Sequence, residues 1–303
     1  MPRAGFVSIV GRPSSGKSTL LNALCRYKVS IVSPTPQTTR NKIRGIVTER
    51  RGQIVFLDTP GFHTSRRILN LHMRELVTES LEEADAVLYV LDATRRPGEE
   101  EGELAAALGD VTVPIVCAIN KTDDRRADPA RTRQFASEQL ANAQILEVSA
   151  VTGTGRSELL DTLFSHLEEG PFYYPEEFYT DQDPALRIAE IVREKATAEL
   201  KQEIPHALFV DIADMEMRGG HGKHGGADQS GGELLWVRAF VTVERDSQKG
   251  IVIGRGGERI RAVRTQAEAE LAGLFPYPVK LDLRVKVQPK WRTNETLLNK
   301  LVR

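Results

Sequence analysis

The sequence has very few cysteines and no long apolar run. Its 303 residues include only Cys25 and Cys117, which lie in separate apolar segments. This spacing excludes a disulfide framework and a cysteine-based metal site, and it is typical of a reducing compartment. No apolar run approaches the roughly 20 residues that a membrane-spanning helix needs, and the N-terminus shows neither a signal-peptide core nor a transit-peptide bias. We therefore expect a soluble, cytoplasmic protein.

The sequence also has almost no net charge, since 41 Lys and Arg stand against 42 Asp and Glu. This balance conceals an asymmetry along the chain. From Lys249 to the C-terminus, twelve basic residues face five acidic ones, so this segment carries +7 and everything before it carries −8. The asymmetry favours an anionic partner such as nucleic acid for the C-terminal part, with a solvated basic face as the alternative.

The composition itself is ordinary for a globular protein. Hydrophobic residues make up 40% and charged residues 27%, which excludes wholesale disorder, and the length fits two domains. In the first part, short apolar runs without polar alternation are separated by helical stripes, a pattern typical of parallel strands buried on both faces. We predict a doubly wound α/β domain with a mostly parallel sheet over residues 1–168. Its predicted strands include Phe6–Val10, Ile54–Leu57, Ala86–Leu91, Val113–Ile119 and Ile145–Val148.

The composition changes after residue 168. Residues 169–183 are rich in proline, acids and aromatics, which predicts an extended linker whose aromatic residues lie on a domain surface. Residues 184–303 then combine helical stretches with strands, the last of which alternates apolar and polar residues. We predict a smaller α+β domain here, with a sheet that has one buried face. Within it, the glycine-rich segment 218–232 is predicted to be a hairpin loop.

A phosphate-binding motif follows the first predicted strand. The sequence GRPSSGKS at 11–18 matches the P-loop pattern G-x-x-x-x-G-K-[ST] between a strand and a helix. Its backbone N–H groups are expected to converge on phosphates, with Lys17 at the β- and γ-phosphates and the Ser18 hydroxyl on Mg²⁺. The nucleotide contacts predicted from this motif are Gly11, Arg12, Pro13, Ser14, Ser15, Gly16, Lys17 and Ser18.

Three further motifs follow later strands and together favour guanine. The DTPG motif places a carboxylate near Mg²⁺ and a glycine N–H near the γ-phosphate. In the NKTD motif, the carboxylate can accept from N1–H and N2–H₂ of guanine, a donor pair that adenine lacks. The VSA motif supplies backbone amides for guanine O6. The contacts predicted from these segments are Asp58, Thr59, Pro60, Gly61, Phe62, Asn120, Lys121, Thr122, Asp123, Ser149 and Ala150.

The polar segment 33–40 lies between the P-loop and a strand at Ile43. This position suits a segment that becomes ordered around the γ-phosphate and Mg²⁺, with Thr39 or Thr38 as a ligand; a plain surface loop is the alternative. The predicted metal-binding set is therefore Ser18, Thr39 and Asp58.

The predicted reaction is the attack of water on the γ-phosphoryl group. We assign catalysis to Lys17, Thr39 and the Gly61 N–H, because charge stabilisation and positioning dominate phosphoryl transfer. Phe62 follows the DTPG motif and cannot orient a water molecule as a glutamine can. No arginine is placed to act in cis, so we expect slow intrinsic turnover.

A second glycine-rich motif lies inside the basic C-terminal segment. Residues 254–257 read GRGG between two short helical stretches, matching the G-x-x-G loop with which KH domains clamp about four nucleotides of single-stranded RNA. Bare glycines allow close approach of a phosphate backbone, and Arg255 adds charge at the contact. The alternative is a structural helix-turn glycine. The predicted RNA-binding residues are Gly254, Arg255, Gly256, Gly257, Arg259 and Arg261.

These motifs, in this order and over essentially the whole chain, resemble the Era family of bacterial GTPases. The resemblance implies a translation-factor-type G domain followed by a type II KH domain with the order α-β-β-α-α-β. It further implies binding to the 3′ end of small-subunit (16S) ribosomal RNA and a role in assembly of the small (30S) ribosomal subunit. Ser14 stands where the family usually has Asn, a residue that helps to hold potassium. The resemblance therefore does not carry K⁺ dependence over to this chain.

Two other functions stay open at the level of sequence. One is a non-enzymatic RNA-binding adaptor with a structurally bound nucleotide, and the other is a GTPase acting on a protein or a membrane target. We expect a monomer, with peripheral contact at the inner face of the cell membrane as an open alternative. His221 and His224 are interpreted as residues of a solvated loop, because two ligands do not make a metal site. His63 is interpreted as a surface residue next to the γ-phosphate region.

Overall fold

The computed structural model describes residues 1–33, 39–62, 68–200, 204, 207–219, 233–295, 297 and 298, with the backbone alone for 68–72 and 74. The chain forms two compact units, one of Met1–Asp181 with Glu295–Arg303 and one of Gln182–Asn294. No described helix is both long enough and apolar enough to cross a bilayer.

The first unit is built on a six-stranded sheet with the order β2-β3-β1-β4-β5-β6. All neighbouring strands are parallel except β2 and β3, which pair antiparallel. Every residue of β3 and β4 is buried, so their continuous apolar runs indicated the central strands correctly. The strands are β1 (Arg3–Val10), β2 (Ile43–Glu49), β3 (Gly52–Asp58), β4 (Ala86–Asp92), β5 (Ile115–Asn120) and β6 (Gln144–Glu147).

Helices cover both faces of this sheet. One apolar cluster joins the sheet to α1 and α5, and a second joins its opposite face to α3 and α4. This arrangement confirms the doubly wound fold and brings the carboxyl ends of the strands to one edge. The helices are α1 (Lys17–Cys25), α2 (Ile68–Glu82), α3 (Glu99–Gly109), α4 (Pro129–Gln139) and α5 (Arg156–His166).

The second unit has the element order α-β-β-α-α-β. Its sheet runs β7-β8-β9, with β7 antiparallel and β9 parallel to the central strand β8. This topology confirms the predicted type II KH fold. The elements are α6 (Pro184–Glu199), β7 (Phe209–Arg218), β8 (Leu234–Val243), α7 (Asp246–Ile253), α8 (Glu258–Leu271) and β9 (Val279–Val287).

The predicted strands are shifted, shorter or longer by one to three residues at their ends, and two of these differences have a local explanation or consequence. The strand expected from Val113 begins at Ile115, because Pro114 has no N–H to donate to a ladder. Strand β7 continues to Arg218, the first residue of the predicted glycine-rich loop. Residues 220–232 of that loop lie outside the described part of the chain.

The segment predicted as a linker, residues 169–183, lies largely along the edge of the first unit. The buried Gln53 side chain accepts from the Tyr174 backbone N–H at 3.0 Å and donates to the Tyr174 carbonyl at 2.9 Å. Farther along, the Ile46 N–H donates to the Tyr179 carbonyl at 3.0 Å. Strand β2 is an edge strand with free backbone groups, and the segment satisfies part of that edge.

Candidate nucleotide and RNA sites

The P-loop forms the turn between β1 and α1, at the carboxyl edge of the sheet. Ser14 and Gly16 have positive φ values of 63° and 97°. Alternation of right- and left-handed backbone points successive N–H groups to one side and creates an anion-binding concavity. The Leu20 N–H already donates to the Gly16 carbonyl at 2.8 Å, so the loop lies directly at the N-terminus of α1. The partial positive charge of that helix end favours phosphate there.

Lys17 lies inside this loop with its side chain buried. Its ammonium donates to the Gly11 and Arg12 carbonyls, both at 3.0 Å. Burial lowers the pKa of Lys17 to about 8, although the charge of Asp58 opposes the change. The ammonium is therefore desolvated and held at the centre of the loop, where a phosphate would be bound.

The three predicted metal-binding side chains meet at one point. Ser18 Oγ lies 2.9 Å from both Thr39 Oγ1 and Asp58 Oδ2. Burial raises the pKa of Asp58, opposed by the charge of Lys17. Among the described residues, Asp58 Oδ1 has no hydrogen-bond partner. A buried carboxylate oxygen with free lone pairs beside two hydroxyls is a donor set that suits a hard cation such as Mg²⁺.

The DTPG segment lies directly against the P-loop. A Cβ atom on Gly61 would lie 2.7 Å from the Pro13 Cα, so only glycine allows this approach. The Phe62 N–H donates to the Gly11 carbonyl at 3.1 Å. Its side chain packs in the core near Val10 and is 9% exposed. The predicted nucleotide contact of Phe62 therefore falls to its backbone.

The NKTD and VSA motifs come together at the ends of β5 and β6. Asn120 Nδ2 donates to the Ser15 carbonyl at 3.1 Å, and its Oδ1 accepts from the Ala150 N–H at 3.1 Å. Ser149 Oγ donates to Asp123 Oδ1 at 2.5 Å. Asn120 thus ties the P-loop to the predicted base-recognition segment, and the Asp123 carboxylate lies beside it. The structure also places Thr122 here, its hydroxyl donating to the Val148 carbonyl at 2.9 Å.

Sequence reasoning missed Asp92, at the end of β4. Its Oδ2 accepts from Lys121 Nζ at 2.7 Å, and its Oδ1 accepts from the Thr94 hydroxyl at 2.6 Å. Burial disfavours the charged form of Asp92, but these hydrogen bonds outweigh burial and lower its pKa. Lys121 Nζ also donates to the Ser14 carbonyl at 2.7 Å. Asp92 therefore orients the lysine of the NKTD motif, and its position at a strand end was the available signal.

The GRGG loop connects α7 and α8 at the surface of the second unit. Gly254 has φ 75°, and a Cβ there would lie 2.9 Å from Arg259 Cγ. Gly256 has φ 56° and open space around it, while Arg255 is exposed. The loop therefore presents a bare backbone and one cation to solvent.

The two arginines predicted to bind RNA fold back onto this loop. Arg259 Nη1 donates to the Ile251 carbonyl at 3.0 Å, and Arg261 Nη2 donates to the Gly256 carbonyl at 3.4 Å. Arg259 thus satisfies a carbonyl in the last turn of α7. Both arginines hold the loop in shape, and Arg261 remains exposed.

Several predicted residues lie outside the described part of the chain. These are Thr38 of the 33–40 segment, together with His63, His221 and His224. Within the described ranges, no group of three or more His, Cys, Asp or Glu side chains is arranged to hold a metal ion.

Comparison with known proteins identifies both halves. Residues 6–121 match the family model of 50S ribosome-binding GTPases, and residues 203–292 match that of the KH domain. GTPase Era of Treponema denticola is 44% identical over 98% of this chain and 99% of the relative. GTPase Era of Treponema pallidum is 42% identical over 99% and 98%, respectively.

Solved structures agree over the full length. Two have a TM-score of 0.88 and 34% identity, covering 99% of this chain and 98% of the other. One is an Aquifex aeolicus Era variant bound to GDP·AlF₄⁻, and the other is Era in complex with MgGDPNP and nucleotides 1506–1542 of 16S ribosomal RNA. Full-length similarity, both domain types and the assembled motifs lead to one conclusion: the chain belongs to the Era family of GTPases.

Proposed function

We propose that this GTPase binds 16S ribosomal RNA through its KH unit and assists assembly of the small ribosomal subunit in the cytoplasm. The nucleotide state of the first unit regulates RNA binding by the second. The observation that carries the proposal is the solvent-facing GRGG loop, in the same chain as an assembled guanine nucleotide site. The Era structure in complex with 16S ribosomal RNA supports the choice of RNA.

The residues around Ser18 fit a magnesium ion. Ser18, Thr39 and Asp58 would hold it, since the Asp58 Oδ1 oxygen lacks a hydrogen bond among the described residues and the other donors are hydroxyls. When bound, Mg²⁺ neutralises charge on the β- and γ-phosphate oxygens.

The chain's own groups supply the rest of the chemistry. The buried Lys17 ammonium would move from loop carbonyls to phosphate oxygens and stabilise charge that develops during attack by water. Gly61, held against Pro13, would direct its N–H towards the γ-phosphate. Asp123 would accept from guanine and exclude adenine by leaving a carboxylate unpaired.

The experiment is a paired titration of a clamp variant. Replacing Arg255 and Gly256 together by Asp places two carboxylates where an RNA phosphate would approach, so RNA affinity should fall at least about tenfold. GTP affinity should not change, because the nucleotide ligands lie between residues 11 and 150. Filter binding measures the RNA affinity, with a single-stranded RNA from the 3′ end of 16S ribosomal RNA as the ligand.

A matched control makes the same two substitutions, Arg to Asp and Gly to Asp, in the first unit. Arg96→Asp with Gly102→Asp adds the same charge to the first unit, where Arg96 is exposed and a Cβ at Gly102 meets nothing within 4 Å. This control should bind RNA like the unaltered protein. Equal RNA affinity of the folded clamp variant and the control would contradict the proposed clamp.

A further inference from the structure

The three-stranded sheet of the second unit carries aromatic residues on a face that its helices leave uncovered. In β8, alternate residues from Leu235 to Val241 are buried, whereas Trp236, Arg238 and Phe240 between them are half-buried. The outward face of a one-sided sheet normally carries polar residues. Two large rings in the central strand are therefore unusual for a purely structural surface.

Cations lie over both rings. The Arg218 Cζ is 4.0 Å from the Trp236 ring centroid, and the Arg238 Cζ is 4.8 Å from it. The Lys286 Nζ is 4.9 Å from the Phe240 centroid. Guanidinium planes and aromatic rings are the groups on which unpaired nucleobases stack. Because the rings are capped by cations, this face suits a polyanion better than an apolar protein surface.

Charge is divided between the strands of this face. The register places Asp214 and Glu216 of β7 opposite Arg238 and Trp236, so the β7 edge is acidic. Cationic side chains dominate the outward positions of β8 and β9, where one carboxylate stands among four cations: Arg238, Lys280, Asp282, Arg284 and Lys286.

The single carboxylate in this basic half is already paired. Asp282 accepts from Arg238 at 2.8 Å and from Arg284 at 3.2 Å, which leaves excess positive charge on the two guanidinium groups. Among the described residues, no carboxylate lies within salt-bridge distance of Lys286. No carboxylate of the described residues therefore competes with a phosphate for Lys286.

We propose that the outer face of β8 and β9 is a second contact surface for single-stranded RNA, separate from the GRGG clamp. Lys286 leaves the Phe240 ring and, like Arg284, pairs with a phosphate. Bases stack on the Phe240 ring and on the guanidinium groups over Trp236, a layer that spans about 13 Å along the strand. This inference rests on the proposed RNA-binding function and extends the path of the RNA across the sheet.

The first test compares affinities of full-length variants. The probe is a labelled RNA of nucleotides 1506–1542 of 16S ribosomal RNA, followed by fluorescence anisotropy. Lys286→Glu and Trp236→Ala should each weaken binding at least fivefold, and Lys286→Glu should also reduce the salt dependence of binding. Arg96→Glu, with the same charge change on the first unit, should stay within twofold. Trp236→Ala also removes packing contacts, so a loss of binding by this variant could come from a loss of stability. Lys286→Glu changes a surface charge and tests the RNA contact without that complication.

The second test uses the unaltered protein. The chain has two tryptophans, and Trp291 is 1% exposed, so acrylamide quenching reports mainly on Trp236. Saturating RNA should reduce the quenching constant at least twofold.

The outcomes separate this inference from the proposed function. If the sheet variants bind like the unaltered protein and quenching is unchanged, while the Arg255 and Gly256 clamp variant loses binding, the second surface is wrong and the clamp stands. If the unaltered protein does not bind the RNA, both are wrong. Weaker binding by the sheet variants together with protection of Trp236 supports the inference.

Discussion

Asp123 and Asp124 are adjacent carboxylates with different partners. Asp123 accepts from Ser149 inside the base-recognition cluster. Asp124 is bound at the surface by Arg126, whose guanidinium donates to it at 2.6 and 2.9 Å. Both side chains are carboxylates, but only Asp123 lies in the base-recognition cluster. Comparing the same substitution at the two positions therefore separates recognition of the base from a general effect of removing a negative charge.

Asp123→Asn should shift the preference of the protein from GTP to XTP. An amide can donate to the 2-oxo group of xanthine, whereas it repels the donor pair of guanine. Nucleotide competition against a labelled GDP measures the change, and Asp124→Asn is the control that should keep guanine preference. Full preference for GTP in Asp123→Asn would remove the NKTD carboxylate from base reading.

Lys17 should make nucleotide binding dependent on pH, because burial lowers the pKa of its ammonium. Its pKa is about 8 in the nucleotide-free loop, and a polyphosphate restores it towards 10.5, so binding near pH 9 should take up about one proton. The same shift means that the nucleotide-free protein gains stability between about pH 8 and 10.5, because the unfolded chain holds this proton longer. Calorimetry in two buffers of different ionisation enthalpy measures the uptake.

The control for this measurement is Lys17→Arg. Its guanidinium stays charged throughout this range, so it should bind nucleotide without proton uptake. Binding enthalpies of the unaltered protein that do not depend on the buffer would show that Lys17 is already protonated in the empty loop.

At the nucleotide site, the motifs predicted which strand ends carry the candidate residues, because each motif there follows a strand whose end lies at the same edge of the sheet. Two residues could not be predicted in this way. Asp92 acts through a partner 29 positions away, and that pairing depends on the register of β4 against β5. The burial of Phe62 depends on how its loop is held by Gly11, which no local pattern records.

Among the elements, the turn between α7 and α8 contains glycines with different requirements. Gly254 has positive φ and no room for a Cβ beside Arg259, whereas Gly256 has positive φ in open space. Gly256→Ala should cost about 1–2 kcal/mol of unfolding free energy, and Gly254→Ala should cost clearly more. Urea unfolding measures both variants. Equal losses of unfolding free energy in the two variants would show that the Arg259 side chain moves away from a Cβ at residue 254 without a free-energy cost.

The buried strands were predictable because continuous apolar runs have few other interpretations in an α/β chain. Helix α4 could not be predicted from its apolar pattern, since only Thr132 and Ala136 of its residues are buried and it lacks an apolar stripe. Its start does carry a local signal, because Asp128 caps the helix and Pro129 occupies its first turn. For residues 169–181, the aromatic content predicted contact with a domain surface, but the position of that contact could not be predicted, since it depends on the distant Gln53.

For the whole molecule, the division into two units predicts separate ligand responses. GDP with Mg²⁺ at about 100 times its dissociation constant should stabilise the first unit by about 2.7 kcal/mol. The second unit contains none of the predicted nucleotide ligands and should gain much less. Hydrogen exchange should therefore slow strongly in β1 and β3 and much less in β8 and α8. ATP is the control that should protect neither, and equal protection of both units by GDP would show that they open together.

The packing of residues 169–181 against the first unit determines where the chain can be cut to give a well-behaved fragment. An uncovered edge strand exposes a row of backbone donors and acceptors that can pair with another molecule, and β2 is such a strand once Tyr179 and Thr180 are removed. A fragment cut at residue 168 should therefore self-associate, whereas one cut at Asp181 should stay monodisperse. We therefore expect these thirteen residues to limit self-association of the first unit, in addition to connecting it to the second.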